Sequence, residues 1–84
     1  MNARQLRTLA VIFVHPTPAA IRFSDIERLF VALGARVTER EGSRVRIDFH
    51  GEQWHCHRPH PRKEAKRYQV ENARELLQRA GFKP

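Results

Sequence analysis

Residues 42–60, GSRVRIDFHGEQWHCHRPH, hold four of the chain's five histidines together with three arginines. Imidazole titrates near neutral pH and can take or give a proton, while the planar guanidinium fork suits phosphate oxygens. Metal-independent RNA cleavage needs these parts: a base for the 2′-OH, an acid for the departing 5′ oxygen, and cations for the phosphorane-like transition state. Strand alternation would place Val45, Ile47 and Phe49 on one side and Arg44, Arg46 and Asp48 on the other. In the next apolar-polar segment, Trp54 and Cys56 oppose His55 and His57. If the apolar side meets the core, the histidines and arginines share an open face. His57, His55 and Arg44 are therefore the candidate catalytic residues, with Arg44 and Arg46 on the phosphate.

His55, Cys56, His57 and His60 are each possible zinc ligands, but alternation sends Cys56 away from its neighbours, and the spacing matches no common closed zinc site. A two-metal nuclease needs converging carboxylates, and only Asp48 is well placed. The expectation is no metal and no cofactor, with Cys56 a small core residue rather than a nucleophile.

A second cluster, RPHPRKEAKR at 58–67, carries two prolines and five Lys or Arg residues. It reads as a loop leading into a helix. Cations just ahead of a helix start oppose the helix dipole, by up to about 1 kcal/mol, unless an anion sits among them. Lys63, Lys66 and Arg67 are so placed, where they and the exposed N–H groups would converge on one phosphate. With Ser43, Arg44 and Arg46 from the sheet and His60 and Arg62 from the same loop, they form the candidate RNA-binding set.

The composition points the same way. Sixteen Lys and Arg against nine Asp and Glu give a formal charge of +7 and a pI near 11.1, which favours an anionic partner, nucleic acid first. The basic residues crowd into segments that do not read as helix, which argues against a membrane-surface helix. The start, MNARQLRTLAVIFVHP, superficially resembles a signal peptide, but its apolar run from Leu9 to Val14 is shorter than an h-region and ends in His-Pro. No run is long enough to span a bilayer. A single cysteine suits a reducing compartment, so the expected location is the cytoplasm.

With 84 residues the chain has room for one domain and one core, so any chemistry belongs on an open face. Leu6, Leu9, Ala10 and Phe13 recur at helical spacing and predict an amphipathic helix over 3–14, stopped by Pro16. In FSDIERLFVALGA, Ser24 with Glu27 three residues on reads as a capping box. Ile26, Leu29, Phe30 and Leu33 line one face, and Gly34 can end the helix. ARVTERE, SRVRIDF and QWHCH follow as an antiparallel meander with turns at Gly42 and Gly51. Val70, Ala73, Leu76, Leu77 and Ala80 mark a last helix that stops at Gly81. The expected architecture is α+β: an added N-terminal helix, then α-β-β-β-α over 22–84, with helices on one face of a three-stranded antiparallel sheet.

This order and several local strings resemble the HicA toxins of bacterial type II toxin-antitoxin systems. The strings are FSDIERLFVALGA, the Gly42-Ser43 turn opening the second strand, RPHPRKEAKRYQV before the last helix, and ELLQRAGF at the end. The resemblance runs from Arg22 onward. It implies a double-stranded-RNA-binding-domain-like fold, ribosome-independent cleavage of mRNA, and neutralisation by an adjacently encoded HicB-like antitoxin in a hetero-oligomer. In that family a histidine after Gly-Ser is catalytic, and the matching position here is Arg44. Either His55 or His57 on the neighbouring strand substitutes, or the domain binds RNA with little cleavage, as a double-stranded-RNA-binding module or as a lapsed partner in a repressor complex.

Overall fold

The structure is a computed structural model describing residues 1–84. Helix α1 spans Ala3–Ile12, α2 Phe23–Ala32 and α3 Arg67–Arg79. Between α2 and α3 lie the strands β1 Arg36–Glu39, β2 Arg44–Phe49 and β3 Glu52–His57, which form one antiparallel sheet in the order β1-β2-β3. The result is the expected double-stranded-RNA-binding-domain-like α-β-β-β-α arrangement, with α1 added in front. No helix is long and apolar enough to cross a membrane.

The period-two pattern of β2 is realised as written: Val45, Ile47 and Phe49 are buried, and the alternate residues are not. Trp54 and Cys56 of β3 join them on the core side. The α2 residue Phe30 packs edge-on to Phe49, with ring centroids 4.9 Å apart, and lies 5.6 Å from Trp54, so aromatic contacts fix the helix across the sheet. The β2–β3 turn is His50-Gly51, with φ of 47° and 79°. Two successive positive φ values are the primed hairpin turn whose twist matches the flanking strands. The His50 ring sits edge-on to Phe49 and Phe82, which takes this histidine out of the chemical cluster.

Two helix details differ from expectation. Helix α2 starts two residues earlier than the capping box requires, with Arg22 as its N-cap and no side-chain cap. Its start is held instead by pairing between distant backbones: Arg22 bridges Glu64, the Phe23 N–H donates to the Lys63 carbonyl at 3.0 Å, and the Ala65 N–H donates to the Ile21 carbonyl at 2.7 Å. Ser24 then falls inside the first turn, and Glu27 is free to bind Arg58. Helix α1 is capped by an unexpected reciprocal pair, Asn2 with Gln5, and ends at Ile12. It buries Thr8, Leu9 and Ile12, whereas Leu6, expected to point inward, is 52% exposed.

Two polar residues of α3 are buried among apolar ones. Gln69 accepts from the Lys66 N–H at 2.9 Å and donates to the His57 carbonyl at 2.8 Å, tying the start of α3 to the end of β3. Arg74 donates through Nε to the Ile12 carbonyl at 2.8 Å, and its guanidinium also reaches the Thr17 hydroxyl at 3.1 Å. It thereby caps the last carbonyls of α1, where the helix dipole is negative.

Candidate nucleic-acid interface

The register of the sheet sets the geometry of the open face. Arg44 lies opposite His57, and Arg46 opposite His55. The Arg58 N–H donates to the Ser43 carbonyl at 2.8 Å, so the 43/58 pair is hydrogen-bonded, and antiparallel alternation makes 44/57 and 46/55 non-hydrogen-bonded pairs. Such pairs bring Cα atoms to about 4.5 Å and their side chains closest together. On the same strand and face, His55 and His57 are two residues apart, a span of about 7 Å.

Arg44, His55 and His57 line one shallow cleft of about 150 Å³, closed on its other side by Arg40. Sequence reasoning missed Arg40. It follows Glu39 at the end of β1, its N–H donates to the Arg44 carbonyl at 2.9 Å, and it makes no ion pair. Continuing the alternation of Arg36 and Thr38, which face Asp48 and Arg46, would have found it. Arg46 stands apart: its Nε is 3.0 Å from Asp48 Oδ2, and it does not line the cleft. The Arg44 guanidinium donates to the Glu41 carbonyl at 3.4 Å and approaches its carboxylate at 3.8 Å, with both side chains well exposed, contacts worth little in water.

The basic loop divides in two. His60, Arg62, Lys66 and Arg67 share a cleft of about 460 Å³ with the connection from α1. Arg67 forms the first turn of α3 and is partly engaged by Glu71 at 3.1 Å. Lys63 points elsewhere, into a cleft of about 140 Å³ beside Ser24, Glu27 and Arg58. The expected convergence of Lys63, Lys66 and Arg67 on one site is therefore not seen, because the backbone of Lys63 is committed to pairing with Phe23. Ser43 is exposed in the β1–β2 turn, and its carbonyl is held by Arg58.

Arg58 serves as a fastener between elements. It binds Glu27 of α2 through Nε at 2.9 Å and also Glu39 of β1, so it joins three elements at one corner. Its hydrogen bonds to Glu27 and then to Glu39 hold its proton even more firmly than usual.

Cys56 lies on the core side, away from His55 and His57, and no three His, Cys, Asp or Glu side chains converge as metal ligands do. Burial, with a further push from Glu27 against the opposing pull of Arg58, raises its thiol to about 11. The folded protein should therefore resist iodoacetamide at pH 8 and react once denatured; fast alkylation of the folded form would contradict this placement. Because the folded value is raised, any stability it contributes is present below pH 9 and is lost as pH rises through about 11.

The family described as HicA toxin of bacterial toxin-antitoxin matches residues 23–82, from the first residue of α2 to just past α3. No curated protein and no solved structure matches the chain.

Proposed function

The chain belongs to the HicA toxin family of bacterial toxin-antitoxin systems, and from that premise we propose that it is an mRNA endoribonuclease that works without metal and without the ribosome. The observation that carries this reading is the cross-strand pairing of Arg44 with His57 at a cleft that also holds His55 and Arg40. The resemblance puts the family's catalytic histidine at position 44. Its non-hydrogen-bonded partner on β3 is the residue whose side chain comes closest to that place, so an imidazole at 57 serves the same reacting atoms.

The 2′ oxygen of one nucleotide attacks the adjacent phosphorus while a histidine of the pair takes its proton. The bond from phosphorus to the 5′ oxygen breaks, and that oxygen receives a proton from the other histidine. The products are a 2′,3′-cyclic phosphate and a 5′-hydroxyl. Arg44 and Arg40 stabilise the charge on the equatorial oxygens, and no divalent cation is needed. Arg46, drawn toward Asp48, contributes charge at the margin. His60, Arg62, Lys66 and Arg67 hold the backbone outside the reacting phosphate.

The antitoxin of such a system is the natural partner, and we assign the open face of the sheet as the surface that a HicB-like antitoxin covers. That face presents Arg36, Arg40, Arg44, His55 and His57, and an acidic or groove-filling partner complements it. Arginine at position 44 favours a second reading, a binding module whose catalytic position has lapsed.

Purified protein incubated with RNA in excess chelator and without ribosomes is expected to cut it and leave cyclic phosphate ends. Cleavage that needs added magnesium, or that leaves 3′-hydroxyl ends, would sink the mechanism.

A further inference from the structure

The first acidic residue of the chain is Asp25, so Arg4, Arg7 and Arg22 precede it with no carboxylate in their own segment. Helix α1 lies outside the family match, which begins at residue 23. It is nonetheless fixed to the body, through buried Leu9 and Ile12 and the bonds from Arg74. Between α1 and the start of α2 runs a cleft of about 430 Å³, with Arg4, Arg7 and Arg22 among its lining and Val11, Pro18 and Ile21 as apolar wall. Arg4 and Arg28 share Asp25, at 3.1 and 3.5 Å. Arg7 and Arg22 make no ion pair.

This cleft borders the loop site. Pro18 lines both it and the cleft of Arg62 and Lys66, and the backbone bridge between Arg22 and Glu64 joins their walls. The loop cleft in turn reaches His60, three residues beyond His57, whose carbonyl Gln69 holds against the start of α3. Arg7 and Arg22 thus lie in a cleft that borders the one holding Arg62 and Lys66.

We infer that the added N-terminal helix is an extension of the RNA-binding site, in which Arg7 and Arg22 take backbone phosphates of the strand whose scissile phosphate lies at Arg44 and His57. This rests on the RNA-cleaving function proposed above. A polyanion with a phosphate at every nucleotide matches cations repeated along a path, whatever its base sequence. The apolar wall leaves room for sugars and bases without requiring particular ones.

The test uses the full chain and a fluorescein-labelled 2′-O-methyl uridine 20-mer, which keeps the phosphates and lacks the attacking hydroxyl, so binding is read without cleavage. Anisotropy titrations over a range of salt compare wild type with Arg7→Ala/Arg22→Ala and with Lys83→Glu. Both variants lower the net charge by two, but Lys83 follows Phe82 beside Phe49 and His50, at the hairpin-turn end of the sheet. The double alanine variant should flatten the slope of log affinity against log salt by about 1.4 and weaken binding on the order of tenfold at 0.1 M salt. Lys83→Glu should leave the slope unchanged, and Arg7→Lys/Arg22→Lys should restore it.

A double alanine slope equal to wild type overturns the inference while the RNA-cleaving function stands. Equal slopes combined with weaker capture of a co-expressed antitoxin would give the cleft to the protein partner and overturn it as well. Failure of the wild type to bind the oligomer at all would remove both this inference and the function on which it rests.

Discussion

His57→Ala should abolish growth inhibition and slow RNA cleavage by a factor on the order of 10² to 10⁴, while RNA affinity stays within about twofold of wild type. The substitution removes a proton-transfer group and no fixed phosphate charge. His57 is exposed on β3, so its loss leaves the core intact. His55→Ala should have the same character, since the reaction needs both a base and an acid and the two imidazoles share one cleft. Arg44→Ala is expected to differ in kind, weakening binding and rate together, because the guanidinium meets the phosphate in both ground and transition states. Single-turnover cleavage alongside anisotropy binding separates these cases. Full metal-independent cleavage by both histidine variants would mean that the roles on this face are wrongly assigned. An inactive wild type that gains cleavage on Arg44→His would mean that position 44 is the catalytic one and that it has lapsed.

The face that carries these groups was legible because strand alternation leaves little freedom. Once Val45, Ile47 and Phe49 must be inward, Arg44 and Arg46 must be outward, and the same holds for Trp54 and Cys56 against His55 and His57. What alternation cannot supply is which outward neighbours pair with each other. Arg46 and Asp48 sit two apart on one strand and meet each other, so Arg46 does not line the cleft, whereas Arg40, just past the end of β1, does. Local helix signals failed where distant backbone took over their task. Ser24 and Glu27 have the spacing of a cap, but pairing of residues 21–23 with 63–65 fixes the start of α2. The same pairing draws Lys63 away from Lys66 and Arg67. Arg58, Gln69 and Arg74 read as surface polar residues because each has a partner more than ten residues away, which no local pattern marks.

Arg74→Ala should cost about 3 kcal/mol of stability and lower the melting temperature by roughly 12–24 °C for a domain of this size. Only 8% of Arg74 is exposed, and it has no carboxylate partner; its charge is met by the Ile12 carbonyl at 2.8 Å, the Val14 carbonyl at 3.4 Å and the Thr17 hydroxyl at 3.1 Å. Hydrogen bonds from a charged group are worth about 1.5–3 kcal/mol each, and removing the donor leaves carbonyls at the end of α1 unsatisfied. Those carbonyls also carry the negative end of the α1 dipole, so the cation is favoured there electrostatically. Against a total folding stability of about 5–15 kcal/mol the loss is large. Arg74→Met retains much of the apolar stem and removes the donors, so it should lose most of the same amount if the hydrogen bonds dominate. Arg74→Lys keeps the charge but offers only a point donor and should fall between. Urea unfolding of the three variants decides the matter: a methionine variant as stable as wild type would show that packing of the stem, and not capping of α1, is what Arg74 provides. Hydrogen exchange offers an independent reading, since loss of the cap should speed exchange first in α1, whose buried contacts are Thr8, Leu9 and Ile12.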